Sequence, residues 1–307
     1  MALQIAEFFG YPPGDPRGNH NAAHKWCPFV GTACIKPNHG ACSLQAIQDS
    51  EPVICCPNRL YADNFAILKQ VSEIAFGAGT IAMNATDLRR AVAAGSLAGN
   101  EVAVFGKGWG GELALPKAMA GKGSYYVDWI LARTNSEGRA HELTALEVQT
   151  IDTTGSYASQ AAACFKGVAF TDPQGRTPGY SSAGFNWENV NKRILPQVIY
   201  KGHVLRREPR CTKGMFFACP VPVFNRIVER LGGTGSMHTY EPSAGTITFL
   251  GYALGPLRSS DGIRILVRPA SFTTTVDQVA LAFTSPRNLP PSRVYEAAVN
   301  AVLQLKE

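Results

Sequence analysis

Leu143-Thr-Ala-Leu-Glu-Val-Gln-Thr-Ile151 is a short apolar run in which apolar and polar side chains alternate over Leu146-Glu-Val-Gln149. A period of two is the pattern of a β-strand with one face in a core. On such a strand Glu147 and Gln149 point to one face and Val148 points into the core. An upstream run, Tyr125-Tyr-Val-Asp-Trp-Ile-Leu131, has the same texture and carries Asp128. If the two runs lie side by side as a hairpin, Asp128 reaches the edge on which Glu147 stands. Two carboxylates converging there offer hard oxygen ligands for Mg2+. Such an ion orients and deprotonates a water and stabilises charge developing on a phosphodiester. Gln149 is placed to hold that water through its amide. Glu112, in Gly110-Gly-Glu112, is a third carboxylate candidate, and its glycines suit either a close approach by another backbone or a simple turn. Taken alone, Asp…Glu-x-Gln also fits ordinary strand-end acids.

Outward from this stretch, Val102–Phe105, Leu113–Leu115, Met215–Phe217, Ile247–Leu250 and Ile263–Val267 read as further strands. Asn64–Phe76, Asp87–Leu97, Ser156–Val168 and Ser292–Leu305 read as helices. Val190–Leu205 reads as a helix that Pro196 must kink or interrupt. The mixture predicts an α/β fold, a central sheet flanked by helices. Residues 10–60 differ: they are rich in Gly, Pro, Asn, His and Cys and show little apolar periodicity. Such a segment has too few core residues to fold on burial alone and needs a staple. The expected division is a small N-terminal metal-stapled domain over 1–68 and a larger domain over 69–307.

The staple is visible in the cysteines. Five of the eight are clustered: Cys27, Cys34, Cys42, Cys55 and Cys56. Clustered cysteines in a chain of this size argue for metal ligation over disulfides. Cys27, Cys34, Cys42 and Cys56 would make a tetrahedral sulfur cage for iron or zinc. Cys55 is an adjacent spare, and His20, His24 and His39 are possible substitutes. Four protein ligands leave no open position, so the cage is expected to order the segment and to do no chemistry.

The 307 residues suffice for one large domain or two smaller ones, and 45% hydrophobic against 17% charged residues excludes a disordered chain. A net charge of +6 permits a nucleic-acid partner without demanding one. The N-terminus has neither a basic n-region nor an apolar h-region, and no apolar run is long enough to span a bilayer, which predicts a soluble, cytoplasmic protein. Gly106–Gly111 is not a P-loop, and neither a G-x-S-x-G elbow nor an H-E-x-x-H helix occurs.

Several stretches, in chain order, give the sequence a relative. Ile5-Ala-Glu-Phe-Phe-Gly10, Cys27-Pro-Phe29, Cys34-Ile-Lys36, Cys56-Pro-Asn-Arg59, Gly110-Gly-Glu-Leu113, Asp128-Trp129, Leu146-Glu-Val-Gln-Thr-Ile-Asp152 and Gly155-Ser-Tyr157 resemble the NotI-like type II restriction endonucleases. Weaker similarity follows over Asn189–Cys211 and Ile263–Val267. The resemblance implies a PD-(D/E)xK restriction-endonuclease-like core behind an N-terminal iron-binding four-cysteine domain. It implies Asp128 and Glu147 as metal ligands, with Gln149 where most of that superfamily has lysine. It implies Cys27, Cys34, Cys42 and Cys56 as the structural ligands. By the same analogy the protein is a homodimer that cuts GC-rich palindromic double-stranded DNA to leave 5′ extensions. A cognate DNA methyltransferase is then expected in the host. The first two cysteines stand closer together here than in that family, which shortens a loop that approaches DNA.

A palindrome calls for a two-fold dimer in which each protomer cuts one strand. Guanine presents O6 and N7 in the major groove, for which Arg and Lys are natural readers. Lys192, Arg193, Arg206, Arg207 and Arg210 are candidates, with Lys36, His39 and Arg59 adding contacts from the cysteine-rich part; each also fits a phosphate contact or a solvated charge. Two other classes share these features: a non-catalytic, zinc-stapled DNA-binding protein, and a repair or recombination nuclease on the same core.

Overall fold

The computed structural model describes residues 2–48, 51–109, 113–115, 125–285 and 289–304. The chain begins with strand β1 (Leu3–Phe8) and helix α1 (Pro16–Ala23), which Asp15 caps by accepting the Arg17 amide. Strands β2 (Trp26–Cys27), β3 (Thr32–Ala33), β4 (Ala41–Ala46) and β5 (Val53–Ile54) follow, then helices α2 (Pro57–Leu60) and α3 (Ala62–Phe76). The middle holds β6 (Ile81–Asn84), α4 (Ala85–Ala93), β7 (Glu101–Gly106), β8 (Ala114–Leu115), β9 (Tyr125–Tyr126), β10 (Trp129–Thr134) and β11 (Ala140–Val148). Next come β12 (Thr153–Thr154), α5 (Ala158–Phe165), β13 (Gly184–Phe185), a π-helical turn at Val190–Ile194 and α6 (Leu195–Arg206). After these stand β14 (Met215–Pro220), α7 (Val221–Arg230), β15 (Thr246–Leu257), β16 (Arg264–Thr275), α8 (Val276–Thr284) and α9 (Val294–Gln304).

Among the described residues the central sheet has seven strands in the order β16-β15-β14-β11-β10-β7-β6. It is mixed. β11, β14 and β15 are mutually parallel, as are β6 and β7, whereas β10 runs antiparallel to both its neighbours and β16 to β15. Both faces are covered, so β14 reads as an unbroken apolar run in which every residue is buried. Met215, Phe217 and Cys219 join the cluster that holds Val198 and Leu205 of α6, Val223 of α7 and Val276 of α8. Phe216 and Ala218 join the opposite cluster, beneath Ile67, Leu68 and Val71 of α3. Each such fully buried side chain contributes about 1.5–3 kcal/mol. This is the expected α/β architecture, a mixed sheet with helices on both sides.

The structure redraws three sequence expectations. The strand read over 143–151 ends at Val148: the Gln149 amide makes the last bond to β14, at the Ala218 carbonyl, and Thr150 then turns its hydroxyl to the Cys55 carbonyl. Pro196 falls in the first turn of α6, where its missing N–H costs nothing, and the interruption is absorbed by the wider π turn just before it. The N-terminal stretch, expected to lack a core, has one that it shares. β1, β4 and β5 form a three-stranded sheet among the described residues, and Leu3, Ile5, Phe8, Leu44 and Val53 pack in the same cluster as Ala145 and Phe217. Residue 68 lies inside helix α3.

β15 and β16 run on as a two-stranded ribbon past the end of β14, to the pair Leu257↔Arg264. The ribbon's tip is fastened to the N-terminal segment. Arg17 Nη1 donates to the Asp261 carbonyl at 2.6 Å, Arg258 pairs with Asp63 at 2.7 Å, and Arg59 Nη2 donates to the Arg264 carbonyl at 2.6 Å. No helix among the described residues is long and apolar enough to cross a membrane.

Candidate active site

Strand register assembles the acidic pair. β10 and β11 pair antiparallel with Trp129 opposite Leu146, so Asp128, just before β10, stands opposite Glu147. Asp128 Oδ2 accepts the Val148 amide at 2.8 Å, which ties the two strand ends together. Trp129 anchors the neighbouring position: it is buried, and its Nε1 donates to the Tyr61 hydroxyl at 3.0 Å. Its ring lies where a side chain on Gly106 would be. A Cβ there would come within 2.2 Å of the indole and 2.7 Å of the Asp128 carbonyl oxygen, so only glycine fits opposite Trp129.

Glu147 sits on the sheet face that α6 covers. It is 3% exposed. Its Oε1 accepts Gln149 Nε2 at 3.1 Å and Lys201 Nζ at 2.5 Å, the lysine side chain being itself only 8% exposed. Its Oε2 is fully buried and has no hydrogen-bond partner among the described residues. Glu147 and Gln149 thus share a face, as the strand period requires, and Gln149 spends its amide on Glu147. An unpartnered buried carboxylate oxygen, with a second carboxylate across the hairpin, fits a hard divalent ion such as Mg2+. Glu112 lies outside the described residues. Lys201 has no mark in the local sequence pattern around Glu147, since it stands 54 residues from its partner.

The four cysteines come to one neighbourhood. Cys27 and Cys42 are buried in a small cluster with Phe29, Ala62 and Ile263, and Cys34 packs against it. Cys56 stands at the N-terminus of α2, near enough to Cys27 and Cys34 for both to raise its pKa. Burial pushes the Cys56 thiol up to about 11, with Lys36 and the Asn58 amide acting in the opposite direction. The Lys36 amide donates to the Cys34 sulfur at 3.4 Å, and the Asn58 side chain donates to Cys27 at 3.8 Å. N–H groups aimed at sulfur are the surroundings that metal-bound thiolates use. Among the described residues, however, no three His, Cys, Asp or Glu side chains are arranged to hold a metal ion. Cys55 faces another way, its sulfur toward the Ala41 carbonyl and its side chain in the main core. His20 and His24 stack on each other on α1, and His39 packs against Tyr157.

The basic candidates separate by burial. Arg59 is fully enclosed, with Nε and Nη2 on the carboxylate of Glu7 and its guanidinium over the Phe29 ring, so it is not presented to a ligand. The sequence reading of Arg59 as a contact residue is corrected by that enclosure. Lys36 and Arg193 line a polar cleft of about 440 Å³ with Asp152, Tyr157, Asn186 and Asn189. Arg193 pairs with Asp152 at 3.3 Å, and Lys36 Nζ donates to the Cys55 carbonyl at 2.9 Å. Asp152 is five residues beyond Glu147, so the cleft opens no more than about 18 Å of chain from the acidic pair. Lys192 pairs with Glu188, Arg206 with Asp277, and Arg210 donates to the Ala140 carbonyl; all three are exposed, as is Arg207.

A family model described as restriction endonuclease NotI matches residues 18–229, well over half of the chain. The matched span holds the clustered cysteines, Asp128, Glu147, Gln149, Lys201 and the cleft residues. No curated protein sequence matches the chain significantly.

Proposed function

The chain belongs to the NotI family of restriction endonucleases, a family of site-specific nucleases, and from that premise we propose that it cuts both strands of duplex DNA at a GC-rich palindrome. In this reading it acts as a homodimer, hydrolyses the phosphodiester with Mg2+ and leaves 5′ extensions. Asp128 and Glu147 are the ion's ligands, with Glu112 a further carboxylate. When bound, Mg2+ supplies an activated water and offsets the charge that develops on the phosphate. Asp128 is held by the Val148 amide, and Glu147 by Gln149 and Lys201. The observation that carries the reading is the buried Oε2 of Glu147, left without a donor among the described residues, on the strand opposite Asp128. Such an orphan costs about 1–3 kcal/mol unless something occupies it.

The same reading gives the sheet and its helices as a PD-(D/E)xK core and makes Cys27, Cys34, Cys42 and Cys56 ligands of a structural iron or zinc. The donors at Cys27 and Cys34 support that set, and the sulfur of Cys55, turned into the main core, favours Cys56 as fourth ligand. Lys36 and Arg193, which line the polar cleft with Asp152, are assigned to DNA, with Lys192, Arg206, Arg207 and Arg210 as outer contacts. A cognate methyltransferase and a cytoplasmic location accompany this function.

Digestion of phage DNA with Mg2+ tests it. Discrete bands are expected, and sequencing their ends gives the target. A smear would point to a repair or recombination nuclease, and no cutting to a non-catalytic DNA-binding protein. Asp128→Ala and Glu147→Ala should each bind the site without cutting it. Near-normal cutting by either variant would sink the assignment.

A further inference from the structure

Lys201 reaches the acidic site from a different element. On α6 the residues Leu195, Val198, Gly202 and Leu205 are buried, and Lys201 lies among them at 6% exposure. Gly202 lets the helix come close: a Cβ there would stand 2.9 Å from Val276 of α8. The helix is therefore seated at a fixed height, and its lysine meets Glu147 Oε1 at 2.5 Å.

Oε1 also accepts Gln149, so two donors occupy one carboxylate oxygen while the other has none among the described residues. This asymmetry has a chemical consequence. Ca2+ readily takes both oxygens of one carboxylate at 2.3–2.6 Å in a flexible shell, whereas Mg2+ demands a tighter octahedron at about 2.0–2.1 Å and is met by single oxygens. With Oε1 engaged, Glu147 has one oxygen to offer.

We propose that Lys201 is a positioning residue that sets ion selectivity: by holding Oε1 it keeps Glu147 from offering both oxygens, and so favours Mg2+ over Ca2+. The inference rests on the reading of Asp128 and Glu147 as Mg2+ ligands. Removing an ammonium alters the local charge equally for either divalent ion. The ratio of the two affinities therefore reports how many oxygens are offered, independently of charge.

Calorimetric titration of the intact protein with Mg2+ and, separately, Ca2+ tests it, with thermal unfolding as the check of fold. In Lys201→Met the Ca2+-to-Mg2+ affinity ratio should rise about 10-fold, the scale on which partners of metal ligands act. Mg2+-supported kcat should fall with KM for DNA unchanged. A folded Lys201→Met with the original ratio overturns the proposal. If that variant does not fold, Lys201→Gln, uncharged but polar, is read in the same way: a raised ratio supports the proposal and an unchanged one overturns it. Asp128→Ala separates the two layers. If the unmodified protein binds neither ion, or binds both in a manner indifferent to Asp128→Ala, the ligand assignment falls and Lys201 with it. If Asp128→Ala abolishes binding while the ratio ignores residue 201, the selectivity role alone falls.

Discussion

Glu7, on the N-terminal sheet, and Glu147, on the central sheet, are each 3% exposed and each paired with a buried cation. They differ in how completely their oxygens are used. Arg59 lays a fork on Glu7, with Nε near both oxygens at 3.3 and 3.1 Å and Nη2 on Oε1 at 3.2 Å. The same guanidinium reaches the Arg264 carbonyl and its Cζ lies 4.6 Å from the Phe29 ring centre, while its Nη1 has no hydrogen-bond partner among the described residues. Around Glu147 both donors crowd one oxygen. A desolvated carboxylate that is fully engaged holds structure together; one engaged on a single side keeps a place for a ligand.

The largest effect separates the two pairs by activity. Glu147→Gln keeps the shape and the Lys201 contact but removes a charged ligand, which is worth several kcal/mol of transition-state stabilisation. Cutting should drop at least about 100-fold per folded molecule, with part of the stability lost as well because Lys201 loses its counter-charge. Glu7→Ala should do the reverse. Stranding Arg59 costs about 3–5 kcal/mol in urea unfolding, while the cutting rate per folded molecule is preserved. Loss of cutting by a fully stable Glu7→Ala would erase the distinction.

A smaller effect extends the comparison to sulfur. Metal analysis and an absorption spectrum of fresh protein should show one iron or zinc per chain, ferric iron giving colour. Cys56→Ser should release it, and Cys55→Ser should retain it. Equal loss in both would mean that sulfur orientation does not mark the ligands.

The mildest test uses a third buried carboxylate. Asp172 has a fully covered side chain that accepts the amides of Gln174, Arg176 and Tyr180 and the Arg176 guanidinium. Burial alone would raise its pKa, but these donors outweigh burial and hold it at about 2. A folded pKa below the unfolded value contributes stability above about pH 4, and that stability is lost as pH falls through about 2. Asp172→Asn should therefore melt lower than the unmodified protein near neutrality, and the gap should close on acidification to pH 2. A gap independent of pH would show that the closed pattern at Asp172 carries no charge-dependent stability.

Much of the acidic site is legible in the amino-acid sequence. The alternation through Leu146-Glu-Val-Gln149 is local, and so is the hairpin that brings Asp128 opposite; both follow from strand period alone. Lys201 is less visible because its partner is remote, although a lysine among the buried positions Leu195, Val198 and Leu205 of a helix is a signal of its own. Arg59 misleads for the opposite reason. It sits among Pro and Asn in a segment with little periodicity, and only the return of β1 and the ribbon encloses it. The N-terminal core is hidden in the same way, because its apolar residues are completed by strands more than a hundred residues away.

The ribbon bears on heredity. The match to the family model ends at 229, before β15 and β16 begin. Yet those two strands carry the sheet past β14, and their tip grips Arg17, Arg59 and Asp63. A gene rearrangement that moved only the shared span into a new setting would carry the acidic pair and the cysteines but leave their clasp behind.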